Sequence, residues 1–241
     1  MAQQLKDAIR RELKVVVVSL PHRSDDAIRQ NSDLSGRLRL INIEAWTKED
    51  LKQIALKGFE KLQWEISDDT ADKIASESLT SPQLMQAICL SVCTMMEEKE
   101  QTKVEDGILE SAYRFTTMNF DYRDVVSVMS KGPNTRGKSR KLYQTIFDKQ
   151  LDLYGLLIES LAKNPPVMEL DIDMIYERIE KLISENGECP TRQAIREHLT
   201  KLQVILEERE NIYKAIEWKD GKVYILDPLF LFYLRWGRMN G

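Results

Sequence analysis

The chain carries little with which to bind a metal or close a disulfide. Its 241 residues hold three cysteines and two histidines. Cys89 and Cys93 stand four apart on what reads as an apolar helix face, with no histidine nearby, and Cys189 is isolated. That spacing matches no zinc or iron–sulfur pattern, so no metal site is expected. Buried thiols of a reduced, cytoplasmic protein are the expectation. His22 and His198 lack partners at ligand spacing, and no Ser-His-Asp order is visible. An excess of charge is missing too: 35 Lys and Arg face 39 Asp and Glu, a net of −4. Such a balance gives no global attraction to nucleic acid or anionic lipid. No apolar run approaches roughly 18 residues and no signal-peptide pattern is present, so no membrane partner is expected.

Strand-forming sequence is scarce as well. In Lys14–Arg23, KVVVVSLPHR, four consecutive valines read as a strand buried on both faces of a parallel sheet. A strand of that kind needs neighbours on either side. Leu38–Ile43 is the one further candidate nearby before helical periodicity takes over. The expected fold is therefore mainly α with minor β. The rest of the sheet is expected upstream of Met1 or on another chain.

What the sequence does have is helix signals. Thr47 with Asp50 makes a capping box ahead of Leu51, Ile54, Ala55, Phe59 and Leu62. Ser67 opens a second helix with Ala71, Ile74 and Ala75 inside. Ser81-Pro82, cap then first turn, opens a third with Leu84, Met85, Ile88, Cys89 and Val92 inside. These three read as a small helical lid, residues 47–96. Residues 97–140 are polar and weakly helical and read as a connector with a basic loop. After a break at Gly132–Gly137, a long helix is expected over Lys141–Lys163. Asp171 then caps a helix carrying Ile172, Ile175, Tyr176, Ile179 and Leu182, and Thr191 caps another carrying Ile195, Leu199, Leu202 and Ile205. Ile212–Trp218 and Lys222–Leu226 alternate around Lys219-Asp220-Gly221 as a hairpin, and an aromatic helix follows Pro228. Three helices and a hairpin are the order of a winged helix-turn-helix, residues 141–241. Residues 1–46 would be the remnant of an α/β core.

Gly132, Gly137, Lys138 and Ser139 satisfy G-x-x-x-x-G-K-[ST]. In a working phosphate loop Lys138 would reach the β and γ oxygens and Ser139 would bind Mg²⁺. Such a loop opens a parallel sheet, whereas the residues after it read as helices and one hairpin. A solvated loop is the preferred reading of Lys131, Arg136, Lys138, Arg140 and Lys141; a local anion or nucleic-acid contact is the second.

VVVVSLPHR, LSGRLRLINIEAW, a lid containing SPQLMQ and the closing ILDPLFLFYLRWG together resemble the C-terminal half of AAA+/STAND-type P-loop ATPases. The likeness is to bacterial and archaeal members allied to origin-recognition proteins. It implies a truncated member running from sensor 1 through lid to winged helix. Ser19 would be the sensor 1 residue and Arg37 an arginine finger acting on a neighbouring subunit. Two departures stand out: SPQLMQ carries no sensor-2 arginine, and the P-loop and Walker-B acid are missing upstream of Ser19. The resemblance thus implies a chain that is not catalytic alone and uses ATP and Mg²⁺ only with the missing core or a partner subunit. Its implied role is nucleotide-dependent assembly on DNA or a protein partner. The alternative is a stand-alone winged-helix adaptor, for DNA or protein, with no nucleotide role. In a DNA reader, Arg192, Gln193 and Arg196 would face bases while Lys219 and Lys222 reach phosphate. Against this, Val167–Gly241 holds 11 Lys and Arg and 14 Asp and Glu, a net of −3.

Overall fold

The computed structural model describes residues 7, 11, 16, 41, 45–135, 137, 139–209 and 213–238. The chain divides into two units, Met1–Ala45 and Trp46–Gly241. In the first unit Val16 and Ile41 lie in irregular backbone and are 92% and 78% exposed. They are the described members of the two expected strands. Ser19 and Arg37 lie outside the described residues.

Helices dominate the second unit. Helix α1, Lys48–Lys61, starts where Thr47 and Asp50 satisfy each other's backbone N–H groups, at 3.1 and 3.2 Å. It buries Leu51, Ala55 and Phe59, while Leu62 at its C-cap is 51% exposed rather than inside. Helix α2, Asp68–Glu77, is capped by Ser67 and buries Ala71, Ile74 and Ala75. Helix α3, Pro82–Glu98, is capped by Ser81 and buries Leu84, Met85, Ile88, Val92 and Met96.

The segment expected as a weakly helical connector does hold two helices, and they are packed into the cores. A 3₁₀ turn, Asp106–Ile108, leads into α4, Leu109–Thr117, and α5 follows at Arg123–Lys131. Val104, Ile108, Leu109, Ala112 and Tyr113 join the core of α1–α3. Val125, Val128 and Met129 join a second core formed with the C-terminal elements. Polarity hid this, because α4 and α5 each show only one apolar stripe across nine residues.

The long helix expected over Lys141–Lys163 is instead a hairpin followed by a shorter helix. Strands β1, Tyr143–Gln144, and β2, Gln150–Leu151, pair antiparallel around a turn in which Thr145 Oγ1 donates to the Lys149 carbonyl at 2.8 Å. Asp152 then caps α6, Leu153–Ala162, accepting from the Gly155 N–H at 2.9 Å. Aspartate favours a helix start over a helix interior, which places the boundary here.

A short strand that periodicity did not reveal, β3 at Glu169–Asp171, precedes α7, Ile172–Glu180. Helix α8 spans Arg192–Glu208. Strands β4, Ile216–Lys219, and β5, Lys222–Ile225, form the expected hairpin, with Asp220 and Gly221 both at positive φ, 51° and 78°. The sheet order is β3-β5-β4, all antiparallel, with Leu170 and Trp218 flanking Val223.

Helix α9, Pro228–Trp236, is apolar apart from Arg235 and is buried from Phe230 to Leu234, residues that cover successive sides of the helix. Phe230, Leu231 and Leu234 complete the C-terminal core. Phe232 points the other way into the α1–α4 core, with Leu229 and Trp236 packed beside it.

Candidate functional site

The exposed cations expected to act together lie around the start of α8 and the end of the β4–β5 hairpin. Thr191 caps α8 through the Ala194 N–H at 3.1 Å, which fixes the first turn. Ile195, Leu199, Leu202 and Leu206 bury one stripe of the helix. Arg192, Gln193, Arg196, Thr200 and Lys201 are left on the exposed side.

Arg192 is not loose on that surface. Its Nε donates to Asp173 Oδ1 at 2.6 Å, and its guanidinium carbon lies 3.9 Å from the centroid of the Tyr176 ring. Both partners belong to α7. The carboxylate beside it holds the guanidinium still more firmly in its charged form. Gln193 donates to Glu197 Oε1 at 3.0 Å. Arg196, one turn on, is exposed and has no ion-pair partner among the described residues.

On the hairpin, Lys219 and Lys222 face each other across the pair of strands. Lys222 Nζ donates to Glu169 Oε1 at 2.5 Å, and this bond raises the ammonium's pKa. Gln203, on the later half of α8, is spent on structure: its Oε1 accepts from the Trp218 N–H at 2.8 Å, tying helix to hairpin. The holders of the cations, Asp173, Tyr176 and Glu169, were missed in the sequence. Asp173 and Tyr176 stand three apart on α7, a same-face spacing. No sequence pattern says which neighbour that face meets.

The phosphate-loop match sits elsewhere and has different surroundings. Helix α5 precedes Gly132 and strand β1 follows Ser139, so the strand-loop-helix order of such a motif is not met among the described residues. Arg136 and Lys138 lie outside the described residues. Arg140 Nη2 donates to the carbonyl oxygens of Lys131 and of Pro133, the latter at 2.6 Å, and Nη1 to Asp152 Oδ2 at 2.6 Å. Its guanidinium lies 4.8 Å from the Tyr154 ring centroid. Carbonyls gathered on a cation are the reverse of N–H groups gathered on an anion. Gly132, at φ +55°, lets the Tyr154 ring come so close that an added Cβ would stand 2.6 Å from it.

Among the described residues no group of three or more His, Cys, Asp or Glu could hold a metal ion, and no helix is long and apolar enough to cross a membrane. Burial pushes the Cys89 thiol up to about 12, far from a reactive thiolate. Comparison with family models, curated proteins and solved structures finds no match for this chain.

Proposed function

We propose that residues 141–241 act as a winged helix-turn-helix on duplex DNA. Helix α8 enters the major groove and the β4–β5 hairpin lies along a phosphate strand. One observation carries this reading: α6, β3, α7, α8, β4 and β5 follow one another with a β3-β5-β4 sheet, and the first turns of α8 keep one side exposed. A groove about 12 Å wide accepts one helix, and the residues of its first turns meet base edges. Arg192 and Gln193 occupy the first of those turns, and Arg196 follows one turn on along the exposed side.

The wider proposal is that the chain is the sensor, lid and winged-helix portion of an AAA+-type ATPase. Helices α1–α3 serve as the lid, Ser19 as sensor 1 and Arg37 as the finger for a neighbouring subunit. ATP and Mg²⁺ would be held together with an ATPase core or a partner subunit. The resemblance of the sequence supports this part. A protein-docking winged helix is the second reading, favoured by the acids Glu169, Asp173 and Glu197 interleaved with the cations.

Fluorescence anisotropy of the full chain with a labelled duplex tests the main reading. Saturable binding at low salt that weakens as salt rises is the expected result. No binding at low salt rejects it. In phosphate-release assays the chain alone gives background turnover, and Arg37→Ala abolishes stimulation of an ATPase partner without unfolding the chain.

A further inference from the structure

We propose that Arg192 is the residue through which α8 selects guanine, an inference that rests on the DNA reading above. The geometry is specific to this arginine. One nitrogen, Nε, is committed to Asp173 at 2.6 Å. One face of the guanidinium is covered by Tyr176 at 3.9 Å. The side chain is nevertheless 50% exposed. Both terminal nitrogens, Nη1 and Nη2, carry no other hydrogen bond among the described residues.

Stacking and the Asp173 bond together fix the plane and the direction of the fork. What remains is a pair of parallel N–H donors on the outer edge, held by two contacts from α7. Guanine presents two acceptors side by side in the major groove, O6 and N7, at the spacing such a fork matches. Adenine places a donor at one of those positions, and the clamped fork cannot rotate to avoid it. An arginine pinned in advance also loses less side-chain freedom on binding.

Asp173 adds to the discrimination. Its negative charge beside the fork disfavours a phosphate group there, so Arg192 gains little from the DNA backbone. Arg196 differs in each respect. It is exposed and unclamped, and it suits phosphate, which needs charge but no fixed direction. Gln193 has one amide N–H engaged by Glu197, which leaves its oxygen and a second N–H for a base.

The experiment selects binding sites for the full chain from duplexes with a randomised centre, then measures anisotropy on the selected duplex and its single-base variants. Wild type is expected to demand guanine at one position and to lose about 5- to 150-fold on changing that pair to A·T. Replacing that guanine by 7-deazaguanine, which lacks the N7 acceptor, should produce a loss in the same direction. Arg192→Ala loses the guanine preference, whereas Arg192→Lys keeps the charge and the salt dependence and, lacking the fixed fork, only weakens the preference. Asp173→Asn weakens the preference and raises affinity for random duplex. Arg196→Ala lowers affinity for all duplexes alike. Circular dichroism of each variant confirms that it is folded. Wild-type binding without a guanine requirement, or a requirement that survives Arg192→Ala in full, overturns the assignment while leaving DNA binding in place. Failure of wild type to bind any duplex overturns the DNA reading and this assignment with it.

Discussion

Arg235 and Glu77, 158 residues apart in sequence, form a two-pronged ion pair with Nε–Oε2 at 2.9 Å and Nη2–Oε1 at 2.6 Å. Both side chains are nearly buried, 8% and 12% exposed. Trp236 Nε1 donates to the same carboxylate at 2.8 Å, and Arg235 Nη1 donates to the Ala162 carbonyl at 2.8 Å. One arginine on α9 therefore binds the end of α2 and the end of α6, so the two hydrophobic cores share a polar clasp as well as a helix.

Removing one side of such a pair strands a charge in a dry site. Arg235→Ala is expected to cost about 3–5 kcal/mol, more than an exposed pair would. Glu77→Gln should cost less, because the amide oxygen still accepts from Arg235 or Trp236. Urea unfolding followed by tryptophan fluorescence measures both. Equal, small losses below about 1 kcal/mol would show that the clasp contributes nothing beyond a surface pair.

Gly132→Ala tests the close approach beneath Arg140. The substitution meets positive φ and a ring atom 2.6 Å from the new Cβ. A loss of roughly 2 kcal/mol or more is expected from backbone strain and overpacking together. Gly137→Ala, with φ +85° and open space around it, should lose less. Thermal melts of the two variants give the comparison, and a Gly137 variant that melts at or below the Gly132 variant would remove the ring contact as the cause.

Acid should loosen the join between α2 and the 3₁₀ turn. Asp106 accepts from Lys73 Nζ at 2.5 Å and from Thr70 Oγ1 at 2.8 Å, and these bonds hold its carboxyl below the usual carboxylate value of 3.8. A depressed folded pKa contributes stability that is complete above the unfolded value and is lost as pH falls through the folded one. The loss therefore belongs below about pH 4, with no effect near neutrality from this group. Unfolding midpoints from about pH 7 down to about pH 2.5 should show a shallower acid limb in Asp106→Asn than in wild type.

For the DNA reading, salt supplies a separate check. Each phosphate contact removed should lower the slope of log K against log salt by about 1. Arg196→Ala and Lys219→Ala are each expected to do so. Arg192→Lys should leave the slope unchanged. A slope near zero in wild type would mean that phosphate contacts play no part.

Residue by residue, the sequence was most readable where a cap and a stripe coincide. Thr47, Ser67, Ser81, Asp171 and Thr191 all begin helices at the expected places because each supplies an oxygen to a backbone N–H that has no other partner. The Asp220-Gly221 turn is equally local, since positive φ at both positions demands such residues. Between Glu97 and Lys163 the weak helical signal matches α4 and α5, but their packing into the cores went unread, and β1 and β2 are two residues each, too short for any period. Of the candidate site, the exposed positions of α8 were legible, but Lys222 and Arg192 are held by acids on other elements.

The helix starts at Thr47, Ser67, Ser81, Asp171 and Thr191, most of the buried stripe of those helices and the turn of the last hairpin were written in the order of amino acids, because capping, turn geometry and periodic burial act over a few residues. Three features waited on the folded chain: α9 completes two cores at once, Glu77 receives Arg235, and Asp173 and Tyr176 clamp Arg192. Those choices depend on which faces meet between elements distant in the chain, and no local spacing encodes them.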